Sequence, residues 1–113
     1  HLDSLERALK QQVALCENAT INAVWSAAPV HFDERPHTAI HRAAQRLELP
    51  IMDLVSGAGH DAVHVSRVVS TGMVFVRCRD GLSHHPEEYV DDEAIGDGAR
   101  LFLEAVIQLD PLL

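Results

Sequence analysis

The chain has 113 residues, of which 47% are hydrophobic, with 9 Lys and Arg against 17 Asp and Glu and a formal charge of −8. That is enough apolar material for one domain. The acidic balance argues against a nucleic-acid binder and a polybasic membrane anchor, and with no run of 18 or more apolar residues a transmembrane helix is excluded.

In chain order, residues 2–17 read as an amphipathic helix, with Leu2, Leu5, Leu9, Val13 and Cys16 on one face. Asp3 and Glu6 have the spacing of a capping box. Residues 19–26 alternate, with Ile21, Ala23 and Trp25 on one face, and read as a half-buried strand. Pro36 suits the first turn of a second helix, whose apolar stripe is Ile40, Ala43, Ala44 and Leu47. Pro50 ends it. Residues 51–55 read as a short strand, 56–59 as a tight turn and 60–68 as a short helix. Residues 72–78 (GMVFVRC) are dense in β-formers and read as a buried strand. Residues 79–89 form a polar loop. A last helix over 91–109 turns Ile95, Phe102, Ala105, Val106 and Leu109 inward. Strands alternating with helices predict an α/β fold with a parallel component.

Cys16 and Cys78 stand 62 residues apart and no CxxC pair occurs, so two free thiols in a reducing compartment are expected. The N-terminal stretch HLDSLERALKQQ has no apolar h-region, so no signal peptide is expected. Eight histidines are the unusual count.

Three segments could carry chemistry. Gly57-Ala58-Gly59-His60-Asp61-Ala62 fits GxGxxA between a predicted strand and a predicted helix, with Asp80 about 20 residues on. That is the context of a dinucleotide fingerprint, and a space-saving glycine turn reads the same way. His60 and His64 stand at i and i+4, as in HExxH, but the base position holds the shorter Asp61. Ser83-His84-His85-Pro86-Glu87-Glu88-Tyr89 offers imidazoles before a helix whose start favours acids. Its plain reading is a polar loop and cap.

Together, SGAGHDA (56–62), GMVFV (72–76) and GLSHHPEEYV (81–90), followed by an acidic-start helix, resemble the C-terminal part of the allantoate amidohydrolase and N-carbamoyl-L-amino-acid hydrolase family. This is the hydantoinase/carbamoylase branch of the binuclear-metal amidases. The spacing of 24 from His60 to His84 fits it. The resemblance covers most of residues 20–113 and, more weakly, 1–19.

It implies a metallo-exopeptidase-like α/β catalytic domain over residues 33–113. Residues 1–32 are then the end of a lid or dimerisation domain. It implies that His84 is a metal ligand, that Gly59 and His60 line the substrate site, and that Asp61 is structural. His85 receives no role. The enzyme it implies holds two zinc or manganese ions, hydrolyses an amide or ureido C–N bond of a carbamoyl amino acid or allantoate, and works as a cytoplasmic homodimer. The general-base Glu and the remaining metal ligands would lie upstream of this segment. The chain alone is therefore expected to be inactive and to bind no metal tightly. The competing expectations are a non-catalytic unit that self-associates through residues 21–25, and a dinucleotide-binding module using Gly57, Ala58 and Gly59.

Overall fold

A computed structural model describes residues 2–110. Helix α1 spans Leu2–Val13, α2 spans Glu34–Arg46, α3 spans Asp61–Val65 and α4 spans Asp92–Leu109, with one 3₁₀ turn at Arg79–Gly81.

The first helix forms where the periodicity places it but ends early. Backbone bonds from Leu15 to Gln12 and from Cys16 to Val13 tighten its exit into 3₁₀ geometry. Asp3 lies inside the first turn, so it cannot be the N-cap of a capping box. Its carbonyl instead accepts from Arg7 Nε at 3.2 Å, and Glu6 pairs with Lys10 one turn on at 2.6 Å. Among the described residues α1 packs against no other helix, and Leu5 and Leu9 stay exposed.

The second helix is fixed at both ends. Asp33 is its N-cap, and its carboxylate accepts from the Arg35 amide at 2.8 Å. Pro36 sits in the first turn, where a missing N–H costs nothing. At the other end Glu48 adopts φ +55. The Leu49 amide donates to the Ala44 carbonyl at 2.9 Å and the Glu48 amide to that of Gln45 at 3.3 Å. This is a Schellman motif with glutamate where glycine is usual. It folds Leu49 back onto the core.

The core lies between α2 and α4. Ala43, Ala44, Leu101 and Ala105 are buried, and Ile40, Leu49 and Val74 pack against them. Small side chains at the crossing let the two helices approach closely. Arg46 Nε reaches Glu104 Oε1 across the seam at 3.1 Å, and Gln108 Nε2 donates to the same oxygen at 2.9 Å.

The inward face of α4 differs from the expected one. Ala105 is inward, but its partner one turn back is Leu101, whereas Ile95, Phe102 and Val106 are exposed. The apolar positions of α4 cover more than one face, and only contact with α2 selects among them.

The α/β architecture is not formed among the described residues. The segments 21–25, 51–55 and 72–78 carry no strand. A strand exists through ladder bonds to a neighbour, and no described segment supplies that neighbour. Residues 72–76 are nonetheless laid across the helix pair in alternating fashion. A Cβ on Gly72 would stand 2.7 Å from Pro36 Cβ of α2, Val74 packs on the core, and Val76 Cγ1 presses on Gly98 of α4. Phe75 points elsewhere and is half exposed.

Candidate functional site

The turn before α3 holds His60 by local bonds. Ser56 Oγ accepts from the Ala58 amide at 3.2 Å and shares a hydrogen bond with His60 Nε2 at 2.6 Å. The ring meets Phe75 edge-on, with centroids 5.5 Å apart. Residues 56–60 are thereby tied to residues 72–76. Gly57 and Gly59 have negative-φ or extended backbone, and a Cβ at either would meet no atom within 4 Å. Neither glycine is imposed by conformation or by crowding. Gly59 is exposed, His60 is half-buried and His64 is exposed.

The loop 79–91 is closed at its base. The Arg79 amide donates to the Tyr89 carbonyl at 2.8 Å. The Arg79 guanidinium lies 4.2 Å above the Tyr89 ring and pairs with Asp91 at 2.6 Å. Within this frame Glu88 folds back. Its Oε2 accepts from the His84 amide at 2.8 Å, and its Oε1 faces Ser83 Oγ at 3.5 Å and Cys78 Sγ at 3.6 Å. Burial against its neighbours, and then the Glu88 carboxylate, push the Cys78 thiol above its usual range.

These bonds hold His84 at φ +57, a conformation uncommon for a residue with a Cβ. Its imidazole is exposed. Its neighbour differs: His85 Nδ1 accepts from the Glu87 amide at 3.2 Å and is spent on the loop. The loop thus holds one histidine at a strained backbone angle and ties a ring nitrogen of the adjacent one to its own backbone, with both side chains exposed.

The described residues do not assemble the two-metal centre that the resemblance implies. Neither His60 nor His84 belongs to a group of three ligand-bearing side chains, and a catalytic zinc takes three protein ligands.

One such group does occur, and the sequence reading passed over it. His37 and His41 of α2 both direct Nε2 at Asp53 Oδ1, at 2.9 and 2.8 Å. The two hydrogen bonds, first from His41 and then from His37, hold the Asp53 carboxyl below its usual range. The i, i+4 spacing of the histidines was readable in the sequence. The arrival of Asp53 was not.

No described helix is long and apolar enough to cross a membrane. No solved structure matches the chain. Among curated proteins, N-carbamoyl-L-amino-acid amidohydrolase of Pseudomonas sp. (strain NS671) is 37% identical over 83 residues, covering 74% of this chain and 20% of that protein. Allantoate deiminase 1 of Glycine max is 45% identical over 74 residues, covering 59% of this chain and 15% of that protein. Ureidoglycolate hydrolase of Oryza sativa subsp. japonica is 31% identical over 109 residues, covering 96% of this chain and 22% of that protein. The chain thus spans about a fifth of the length of these curated relatives. The profile of peptidase family M20/M25/M40 matches residues 4–108, and the chain belongs to that family.

Proposed function

We propose that the chain is the C-terminal portion of a metal-dependent amidohydrolase that cleaves the carbamoyl or ureido C–N bond of N-carbamoyl amino acids or allantoate. The observation that carries this is His84. It is held at positive φ by Glu88 with its imidazole exposed, in a chain whose relatives are named for such reactions. In this reading His84 is one ligand of two divalent ions, zinc or manganese. The remaining ligands and the general-base Glu come from residues outside this chain. When bound, such ions make a water acidic enough to attack at neutral pH. Gly59 and His60 line the substrate site, with Ser56 and Phe75 orienting the His60 ring. Residues 33–113 belong to the α/β catalytic domain, and 72–76 become a strand of its sheet over α2 and α4. Residues 1–32 belong to the lid through which the parent enzyme dimerises.

The surface supports a larger parent. The chain exposes 9882 Å², against about 6,100 Å² for a compact folded chain of this mass. Val24, Trp25, Val55 and Met52 are among the exposed apolar side chains.

The chain alone should be inactive. Incubated with zinc or manganese and an N-carbamoyl amino acid or allantoate, it should release no product. Turnover that His84→Ala abolishes would overturn the inactivity. The role of His84 is tested in a chimera, with this chain replacing the matching segment of the Pseudomonas relative. His84→Ala should abolish its activity and His85→Ala should not. An active chimera indifferent to His84→Ala ends the assignment.

A second reading is favoured by the exposure of Val24 and Trp25. On its own the chain self-associates through residues 21–25. Light scattering after size exclusion should give a dimer that Trp25→Ser dissociates, and a monomer counts against it.

A further inference from the structure

We propose that His37, His41 and Asp53 form a binding site for one divalent cation of the zinc type on the outer face of α2. The inference rests neither on His84 nor on the amidohydrolase reading.

The site is built from both ends of one helical unit. The Asp33 cap fixes where α2 starts. The next two turns then place His37 and His41 on one face, with ring centroids 4.4 Å apart. After the Schellman turn the chain passes back along the helix and delivers Asp53. One nitrogen from each ring and one carboxylate oxygen lie within 4.8 Å of one another. Both Nε2 atoms contact the same oxygen, at 2.9 and 2.8 Å. Zinc bonds of about 2.0–2.1 Å in a tetrahedron require ligand atoms about 3.3 Å apart. Each nitrogen therefore needs to move about half an ångström away from the Asp53 oxygen, which exposed side chains can do without moving the backbone.

The donor set selects the ion. Two imidazoles and one carboxylate suit zinc, nickel or copper(II), whereas magnesium and calcium take oxygen ligands. The change in protonation is defined. In the metal-free state Nε2–H donates to the Asp53 carboxylate. To bind a cation, Nε2 must give up that proton and the ring carries it on Nδ1 instead. For His37 an acceptor that could hold the Nδ1 proton is already near: Glu34 Oε2 lies 3.8 Å from His37 Nδ1. All three ligand side chains are exposed, so water completes the coordination and the ion has an open path.

The test is a calorimetric titration of the purified chain with zinc, with magnesium as a second titrant. The variants are His37→Ala, His41→Ala, Asp53→Asn and His84→Ala. The expected result is one zinc per chain at micromolar Kd, with no magnesium binding. Affinity should fall at least tenfold in each of the first three variants and stay unchanged in His84→Ala. Cobalt(II) added in place of zinc should give visible bands that the same three variants remove. Far-UV circular dichroism should show each variant as helical as the parent. No zinc binding, or binding that survives all three substitutions, overturns the proposal. Loss in His84→Ala alone would also overturn it, and would place the ion in the loop at 79–91.

Discussion

Gly98 of α4 lies directly beneath Val76, so closely that a Cβ on Gly98 would overlap Val76 Cγ1. Two positions earlier on the same helix, a Cβ on Gly96 would meet nothing within 4 Å. The helix therefore contains one glycine required by packing and one that is not.

The two alanine substitutions should have opposite signs. Gly96→Ala should stabilise the chain by up to about 1 kcal/mol, the helix-propensity difference. Gly98→Ala should forfeit that gain and destabilise, because Val76 is β-branched and cannot easily turn its methyl aside. Adding Val76→Ala to Gly98→Ala should restore much of the loss. Urea denaturation of the four proteins measures this. Equal effects at Gly96 and Gly98 would show that residues 72–76 do not lie on α4.

The α2–α4 seam should be far more sensitive than the adjacent face of α4. Leu101 is 6% exposed, and Phe102, the next residue, is 61% exposed. Leu101→Ala should cost about 2–5 kcal/mol. Phe102→Ala should stay within about 0.5 kcal/mol, as for other surface positions. Thermal melts of both variants give the comparison.

Glycine should be tolerated better than usual at two positions. Glu48 and His84 both have positive φ, a conformation costing roughly 1 kcal/mol or more for residues other than glycine. Glu48→Gly and His84→Gly should each leave stability unchanged or raise it by up to about 1 kcal/mol. In the chimera, His84→Gly should nevertheless abolish activity if the proposed ligand role holds. Stability and activity would then separate at one residue.

Acid should weaken the start of α2. The Arg35 amide, and next a hydrogen bond with Ser70, hold the Asp33 carboxyl below its usual range. A carboxyl whose folded value is depressed contributes stability that is fully present above the unfolded value, about 3.9, and is lost as pH falls through the folded one. The 222 nm ellipticity should thus hold from neutrality to about pH 4 and decline below it. Asp33→Asn keeps an acceptor without a charge and should flatten the part of that decline belonging to α2. Identical acid curves for the two proteins would remove Asp33 from the account.

The sequence by itself determined what is local. The helices at Glu34–Arg46 and Asp92–Leu109 were legible from periodicity, Pro36 and flanking acids, because each helical bond closes within four residues. The motifs 56–62, 72–76 and 81–90 carried the family resemblance, which the match over residues 4–108 bears out. Only the tertiary structure decided what is not local. Contact with α2 chose Leu101 over Phe102. Expected strands stayed without ladders, because a strand's bonds go to a neighbour that its own residues cannot encode. The fold-back after Leu49 brought Asp53 to His37 and His41, a meeting across 16 and 12 residues that no spacing rule reveals. Likewise His84 and His85 are adjacent and chemically identical. The loop that Glu88 closes is what sets His84 at positive φ and commits His85 Nδ1 to the Glu87 amide.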